Sequence, residues 1–439
     1  YRYLRGQKMS TLEELIQKLC PNGVEYRPLG EVCKIIRGKG LCKDDIGNGN
    51  IPIILYGELY TSYGNYITQI KSSTDIEKVN NSPMIEFTDI LLPISSTTKE
   101  AKIGKASAYT LNNKAYLGSD AILLKHHQNC GFLVHLLNGS WFEKLKMQCV
   151  SGTTINHLNP SKLSKIKIPV PPIEVQEEIV RILDKFTELT AELTAELTAR
   201  KKQYEFYRDQ LLSFNSINDT TNNRTGGGYN HLLNCQVKWV RLGDLALVTK
   251  LAGFEFTKYV KYSNSGQIIA LRGLNVKNGQ LDLTDVKYID ESDLSKLDRS
   301  KLKKGDLLFT YVGTVGQVAL INEDEKFYLA PNVALIRITN EGVLPDYLRY
   351  YCQSNIFYKK EILRLIQASS MQNIPMEKIR KFVVPVPPIE EQKRIVAILD
   401  RFDKLCNDIS EGLPAEIDAR QKQYEYYRDK LLTFEEIAQ

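Results

Sequence analysis

The chain has 439 residues, 43% of them hydrophobic and 25% charged, with a formal net charge of +6. These values describe an ordinary globular protein of two or three domains, and the charge is too small for one that coats nucleic acid indiscriminately. No apolar run reaches the 18 residues of a membrane span and no secretory signal is visible, which predicts a cytoplasmic protein.

Tyr1 to Lys8 precede the first methionine, Met9, and read as a vector remnant or a translated upstream stretch. Arg2, Arg5 and Lys8 lie within it, so the rest of the chain is near +3 of the total +6. None of the eight cysteines lies in a C-x-x-C pair. A reducing compartment and no metal site are expected.

In chain order, an N-terminal segment (9–27) leads into a stretch of mixed character at 28–168. Short runs rich in Val, Ile, Tyr and Phe, such as Ile51 to Tyr56, read as strands, and Phe132 to Lys146 reads as helical. A helical segment follows at 169–214. Its Pro-x-Pro-Pro run places Pro172 at a helix start, with Glu174 in the first turn where negative charge suits the dipole. Apolar residues then recur at Ile182, Phe186, Leu189, Leu193, Leu197, Tyr204, Tyr207 and Leu211, the steps of an amphipathic helix outside the polar turn at Arg200. From Glu174 to Phe214 such a helix is about 61 Å long. It contains Thr190-Ala-Glu-Leu193 followed by Thr194-Ala-Glu-Leu197, one four-residue unit repeated.

Asn215 to Gln236, with three consecutive glycines, reads as a flexible linker. The pattern then starts again. Residues 237–384 carry strand-like runs at Asp306 to Tyr311 and Val333 to Ile338 and a helical stretch at Pro345 to Ile366. Residues 385–434 repeat the helical segment, with Gly412-Leu413-Pro414 expected to kink or interrupt it; 435–439 is a tail. Thirteen of 18 positions in Pro169 to Phe186 are identical to Pro385 to Phe402, and 12 of 16 in Ala199 to Phe214 are identical to Ala419 to Phe434. The chain is therefore a tandem duplication of about 215 residues. One long helix with one apolar stripe needs a partner, and the matched segment supplies it as an antiparallel or crossed pair.

The duplicated Pro-Pro-Ile-Glu-x-Gln, Ile-Leu-Asp-x-Phe and Gln-Tyr-x-x-Tyr-Arg-Asp-x-Leu-Leu-x-Phe motifs, alternating with two divergent domains, resemble the specificity subunits of type I restriction–modification enzymes. The Thr-Ala-Glu-Leu repeat is similar to that of one subgroup. The resemblance covers essentially Met9 to Phe434. It implies an α+β fold with two pseudo-symmetric target recognition domains, joined by two long helices that form an antiparallel coiled coil. It also implies that each domain reads one half of a bipartite DNA target. The helices would set the gap and dock two methyltransferase subunits, to which motor-nuclease subunits add.

No catalytic residue is expected. The P-loop pattern is missing, Gly47-Asn-Gly49-Asn-Ile-Pro52 is a broken dinucleotide fingerprint, Asn159-Pro160 continues with Ser161 where an adenine methyltransferase would have Pro-aromatic, and no G-x-S-x-G elbow is found. The chain itself should carry no cofactor, with S-adenosylmethionine, ATP and Mg on partner subunits only. The alternatives left open are a lone methyltransferase with degenerate motifs and a helical scaffold whose domains bind something other than DNA.

Base readout needs Arg, Lys, Asn, Gln, Ser or Thr at base edges, and phosphate contact needs Lys or Arg. In the first domain the candidates are Arg37, Lys39, Ser95, Ser96, Thr97, Lys99, Gly152, Thr153 and Thr154. In the second they are Lys250, Arg272, Tyr311, Thr314, Ser369, Ser370 and Gln372. Tyr207, Arg208, Tyr427 and Arg428 recur at matched helix positions and are the candidates for partner docking.

Overall fold

The computed structural model describes residues 2–96, 102–152, 155–214, 237–324, 326–366, 373–408 and 411–437. Expectations for Thr97, Lys99, Thr153, Thr154, Ser369, Ser370, Gln372 and the 215–236 linker fall outside these residues. The chain divides into two compact units. One comprises Tyr1–Thr194 with Glu416–Gln439, the other Ala195–Ala415.

In the first unit a five-stranded sheet has the order Cys33–Arg37, Ala121–His126, Ile90–Pro93, Ser107–Tyr109, Tyr66–Ile67. Ile90–Pro93 and the first four residues of Ala121–His126 are apolar and buried on both faces, because the sheet separates two cores and successive side chains face opposite ways. Ile90, Leu92, Ile122 and Leu124 point into the larger core with the helices. Leu91, Ala121 and Leu123 point into a second core, shared with a four-stranded sheet ordered Ser72–Thr74, Ile51–Ile54, Ala115–Leu117, Met84–Ile85.

The second unit repeats the plan. Its main sheet has the order Ala246–Lys250, Val333–Ile338, Leu307–Thr310, Val318–Leu320. Leu307, Phe309, Ala334 and Ile336 face the helical core, and Leu308, Val333 and Leu335 face the other. A three-stranded sheet of Lys287–Tyr288, Ile269–Leu271 and Phe327–Leu329 covers that second side. The duplication extends to single glycines. Gly104 has φ +71 and Gly316 has φ +92, and a Cβ at either would press on a side chain from the same helical station, Lys146 Cδ at 2.9 Å or Ile362 Cδ1 at 2.8 Å.

The first spacer helix is continuous over Ile173–Leu211. The second is interrupted at the expected place, running as Ile389–Asn407 and Leu413–Leu431. The break holds a glycine because a Cβ on Gly412 would lie 2.6 Å from the carbonyl oxygens of both Lys404 and Asp408. Each spacer helix is shared between the units. The first unit takes residues up to Thr194 of one and from Glu416 of the other, and the second unit takes the remainders.

Two expected helices are broken instead of continuous. Phe132 to Lys146 resolves into Cys130–Leu137 and Ser140–Met147, because the Asn138 side chain turns away to hydrogen-bond the Ala106 backbone NH and carbonyl at 2.8 and 2.9 Å. Pro345 to Ile366 resolves into Pro345–Gln353, Asn355–Phe357 and a π turn, Tyr358–Ile362. Ser354 makes that break by capping Phe357 N at 3.1 Å. The predicted strand Ile51 to Tyr56 ends at Ile54, and Tyr56 opens a short helix to Thr61.

Candidate nucleic-acid interface

Three polar clamps hold each divergent domain on its helices, and all three occur twice. The Asn129 amide donates to Gln176 Oε1 at 3.0 Å, whose Nε2 donates to the Pro171 carbonyl at 2.8 Å. In the second unit the Leu344 amide, Gln392 and the Pro387 carbonyl repeat this at 2.9 and 2.8 Å. His135 Nε2 lies 2.9 Å from Asp184 Oδ1, and Tyr350 donates to Asp400 Oδ1 at 2.6 Å. Asp429 accepts the Ser140 amide at 3.2 Å and the Ser140 hydroxyl. Asp209 accepts the Asn355 amide at 3.1 Å and its side-chain amide at 2.9 Å. The clamps tie each domain to the start of its own spacer helix and to the end of the other.

The end of the main sheet, by contrast, keeps its backbone and changes its side chains. In the second unit Lys250 ends the Ala246–Lys250 strand opposite Ala334, with its ammonium 5.4 Å from the centre of the Tyr311 ring. The Tyr311 amide donates to the Asn332 carbonyl at 3.3 Å, and Asn332 has φ +71. In the first unit Arg37 ends the matching strand opposite Ile122. The Ile94 amide donates to the Asp120 carbonyl at 2.8 Å, and Asp120 has φ +62. Arg37 and Lys250 are thus equivalent, as are Asp120 and Asn332.

Beside this sheet end the second unit opens a cleft of about 790 Å³, bordered by Phe256, Tyr262, Arg272, Thr314, Gln317 and Asn332. Its floor is the turn after Leu307–Thr310. The buried Thr310 hydroxyl donates to the Thr314 carbonyl and accepts the Gln317 amide at 2.9 Å. Arg272 Nη2 donates to both the carbonyl and Oδ1 of Asp285 at 2.9 Å. Burial raises the Tyr262 phenol above its ordinary value, against the nearby Arg272 charge, and burial likewise raises Tyr311, against the hydrogen bond at Asn332. Both phenols therefore stay protonated at neutral pH.

The structure thus gathers Arg272 and Thr314 at one cleft, with Lys250 and Tyr311 paired at the adjoining sheet end. Arg37 and Lys39 are exposed at the matching end in the first unit, and Gly152 is exposed at φ +128 after the Val150–Ser151 strand. Ser95 and Ser96, expected as DNA-contact residues, are instead buried. They form a short strand paired with Asn156–Leu158 and are only 5% and 4% exposed. The Ser95 hydroxyl is engaged by Asp120 Oδ1 at 2.8 Å and His157 Nδ1 at 3.0 Å. Phe256, Tyr262, Gln317 and Asn332 were not anticipated. The Pro331-Asn332 pair ahead of the Val333–Ile338 strand is the one turn signal that could have pointed there.

The docking candidates repeat one geometry at both matched helix positions. Arg208 and Arg428 each stack at 5.4 Å over the tyrosine one turn earlier, Tyr204 or Tyr424, and each side chain is only 10% exposed. Tyr207 packs on Phe402 at 5.7 Å and Tyr427 on Phe186 at 5.3 Å. The neighbouring rings face outward, Phe206 being 64% and Tyr426 62% exposed.

The family model for the type I restriction modification DNA specificity domain matches residues 21–200 and again 235–419. A putative type I restriction enzyme specificity subunit of Haemophilus influenzae is 30% identical over 96% of this chain and 98% of its own length. The EcoR124I/EcoR124II specificity subunit of Escherichia coli is 30% identical over 97% of this chain and 98% of its own. A chain from a solved type I R-M system structure superposes with a TM-score of 0.61 at 17% identity, covering 94% of this chain and 98% of that one. The chain belongs to the type I restriction–modification DNA specificity family. Its fold is α+β, with two pseudo-symmetric domains carried on long helical spacers.

No helix among the described residues is long and apolar enough to cross a membrane. No cluster of three or more His, Cys, Asp or Glu that could hold a metal ion occurs among them either.

Proposed function

We propose that this chain is the target-reading subunit of a type I restriction–modification enzyme, each domain reading one half of an asymmetric bipartite DNA target. One observation carries this reading. The two units keep the same sheet end down to a positive φ at Asp120 and Asn332, yet exchange the side chains it presents, Arg37 for Lys250 and Asp120 for Asn332. A duplicated scaffold with changed contact chemistry suits two unlike half-sites.

The spacers set the gap in this reading, paired as an antiparallel coiled coil. Support comes from inside each unit, where Phe186, early in one helix, stacks on Tyr427, late in the other, and Phe402 meets Tyr207 in the same sense. The spacers also dock two methyltransferase subunits, which motor-nuclease subunits join. Because Arg208 and Arg428 are buried, the contact passes to Phe206 and Tyr426, with Tyr207, Arg208, Tyr427 and Arg428 holding those rings in place. Chemistry, S-adenosylmethionine, ATP and Mg belong to the partners in this proposal. A reducing cytoplasm fits the seven described cysteines, all of which are free.

The test is to co-express the chain with its cognate methyltransferase subunits and map methylated sites by single-molecule sequencing. A two-part motif with unlike halves is the expected outcome.

A further inference from the structure

The Ile269–Leu271 strand and its counterpart Ile51–Ile54 end in the same turn. In one unit the Ala330 amide donates to the Leu271 carbonyl at 3.1 Å, and in the other the Gly118 amide donates to the Ile54 carbonyl at 2.9 Å. The next residue is capped alike in both, Arg272 N by Asn275 Oδ1 at 3.0 Å and Leu55 N by Glu58 Oε2 at 2.8 Å. The turn therefore does not require an arginine. The first unit fills the position with a leucine that is 6% exposed, and the second places there a guanidinium that borders the cleft.

That guanidinium is held in one orientation by two bonds from Nη2 to Asp285. Its Nε is buried without a hydrogen-bond partner. Asp285 lies beside its charge, which weakens it as a phosphate counterion, and takes both Nη2 hydrogens, leaving Nη1 and its two hydrogens as the donor. Its neighbours suit a base more than a backbone. Phe256 and Tyr262 form an aromatic wall, their rings 5.5 Å apart, and Thr314, Gln317 and Asn332 supply hydroxyl and amide groups. Lys277, the other cation at the cleft, is bonded to Asp282 at 2.6 Å.

We infer that Arg272 reads a guanine, its Nη1 donating to the O6/N7 edge in the major groove, and so fixes one base pair of the half-site bound by the second unit. A guanidinium already held in place loses less entropy on forming the contact, and the O6/N7 edge of guanine is the base edge that arginine most commonly reads. The inference rests on the target-reading function proposed above.

The test uses the full chain assembled with its cognate methyltransferase subunits, comparing wild type with Arg272→Gln and Arg272→Lys by methylation sequencing. Both variants are expected to relax one G·C position in one half-site, lowering discrimination there by roughly 5- to 150-fold. The other half-site and the gap should be unchanged and serve as the internal control. Arg272→Lys keeps the charge, so it remains informative if Arg272→Gln does not assemble. An unchanged motif with either assembled variant overturns the inference, as does uniformly weaker binding with a shallower salt dependence, the mark of a phosphate contact. A wild-type enzyme with no two-part motif overturns the target-reading proposal itself, so the two failures are distinguishable.

Discussion

The Tyr350 hydroxyl donates to Asp400 Oδ1 at 2.6 Å. It occupies the station at which His135 meets Asp184 in the other half of the duplication, so the clamp between domain and helix is kept while its chemistry has diverged. Removing the carboxylate strands a buried donor, at a cost of about 1–3 kcal/mol. Asp400→Ala is predicted to speed amide hydrogen exchange in Pro345–Gln353 by a matching factor. Exchange in Cys130–Leu137 should stay as it was, and Asp184→Ala should give the converse pattern.

Gln176 and Gln392 are fully buried and each bridges a domain amide to a Pro-Pro carbonyl. Replacing either by alanine leaves a part-buried amide and a buried carbonyl without this partner and is predicted to cost about 1–3 kcal/mol. Replacement by glutamate keeps the acceptor and loses the donor, so it should be intermediate or worse. Urea unfolding of the single variants checks the order.

Acid should loosen the clamp at Ser140. Burial pushes the Asp429 carboxyl up, but the Ser140 hydroxyl and amide and the adjacent Arg428 outweigh it, leaving Asp429 below the ordinary aspartate value of 3.8. A carboxyl whose folded pKa is depressed stabilises the fold fully above its unfolded value, and that stabilisation is lost as pH falls through the folded value. Asp429→Asn is therefore predicted to be less stable than wild type near about pH 6, with the gap closing below about pH 4. Urea midpoints at about pH 6 and at a series of pH values below about 4 measure it.

Much of the architecture was legible before any coordinates. The repeat, the spacer starts after Pro172 and Pro388, and the interruption at Gly412 are set by local covalent and steric rules that sequence displays directly. The helix break at Asn138 is not legible, because its side chain bonds the distant Ala106 backbone, whereas the break at Ser354 is made by a local cap on Phe357 N, three residues on. The candidate interface is legible only in part. Arg272, Lys250, Tyr311 and Thr314 have exposed-loop chemistry, whereas Ser95 and Ser96 share that composition and are buried by a tertiary strand pairing. Phe256 and Tyr262 carry no local signal of a cleft, and only the path of the chain brings them to one.

The outward rings at Phe206 and Tyr426 are predicted to anchor the methyltransferase subunits. Truncating an aromatic anchor costs about 2 kcal/mol or more, roughly 30-fold in affinity. Phe206→Ala with Tyr426→Ala should weaken assembly in a titration followed by light scattering and leave the melting temperature near wild type. Arg208→Ala with Arg428→Ala should lower the melting temperature, because both guanidinium groups are packed over tyrosines.

Mapping the methylated sites of the enzyme assembled with wild-type chain and with a chain lacking Thr194 to Leu197 tests the central claim most directly. The deletion removes one four-residue unit, about 6 Å of helix, which is at most about two base pairs of DNA. The account predicts a bipartite motif with two unlike halves, both retained in the deletion while the gap between them shortens. A single contiguous or palindromic motif, or a gap that does not change, would contradict it.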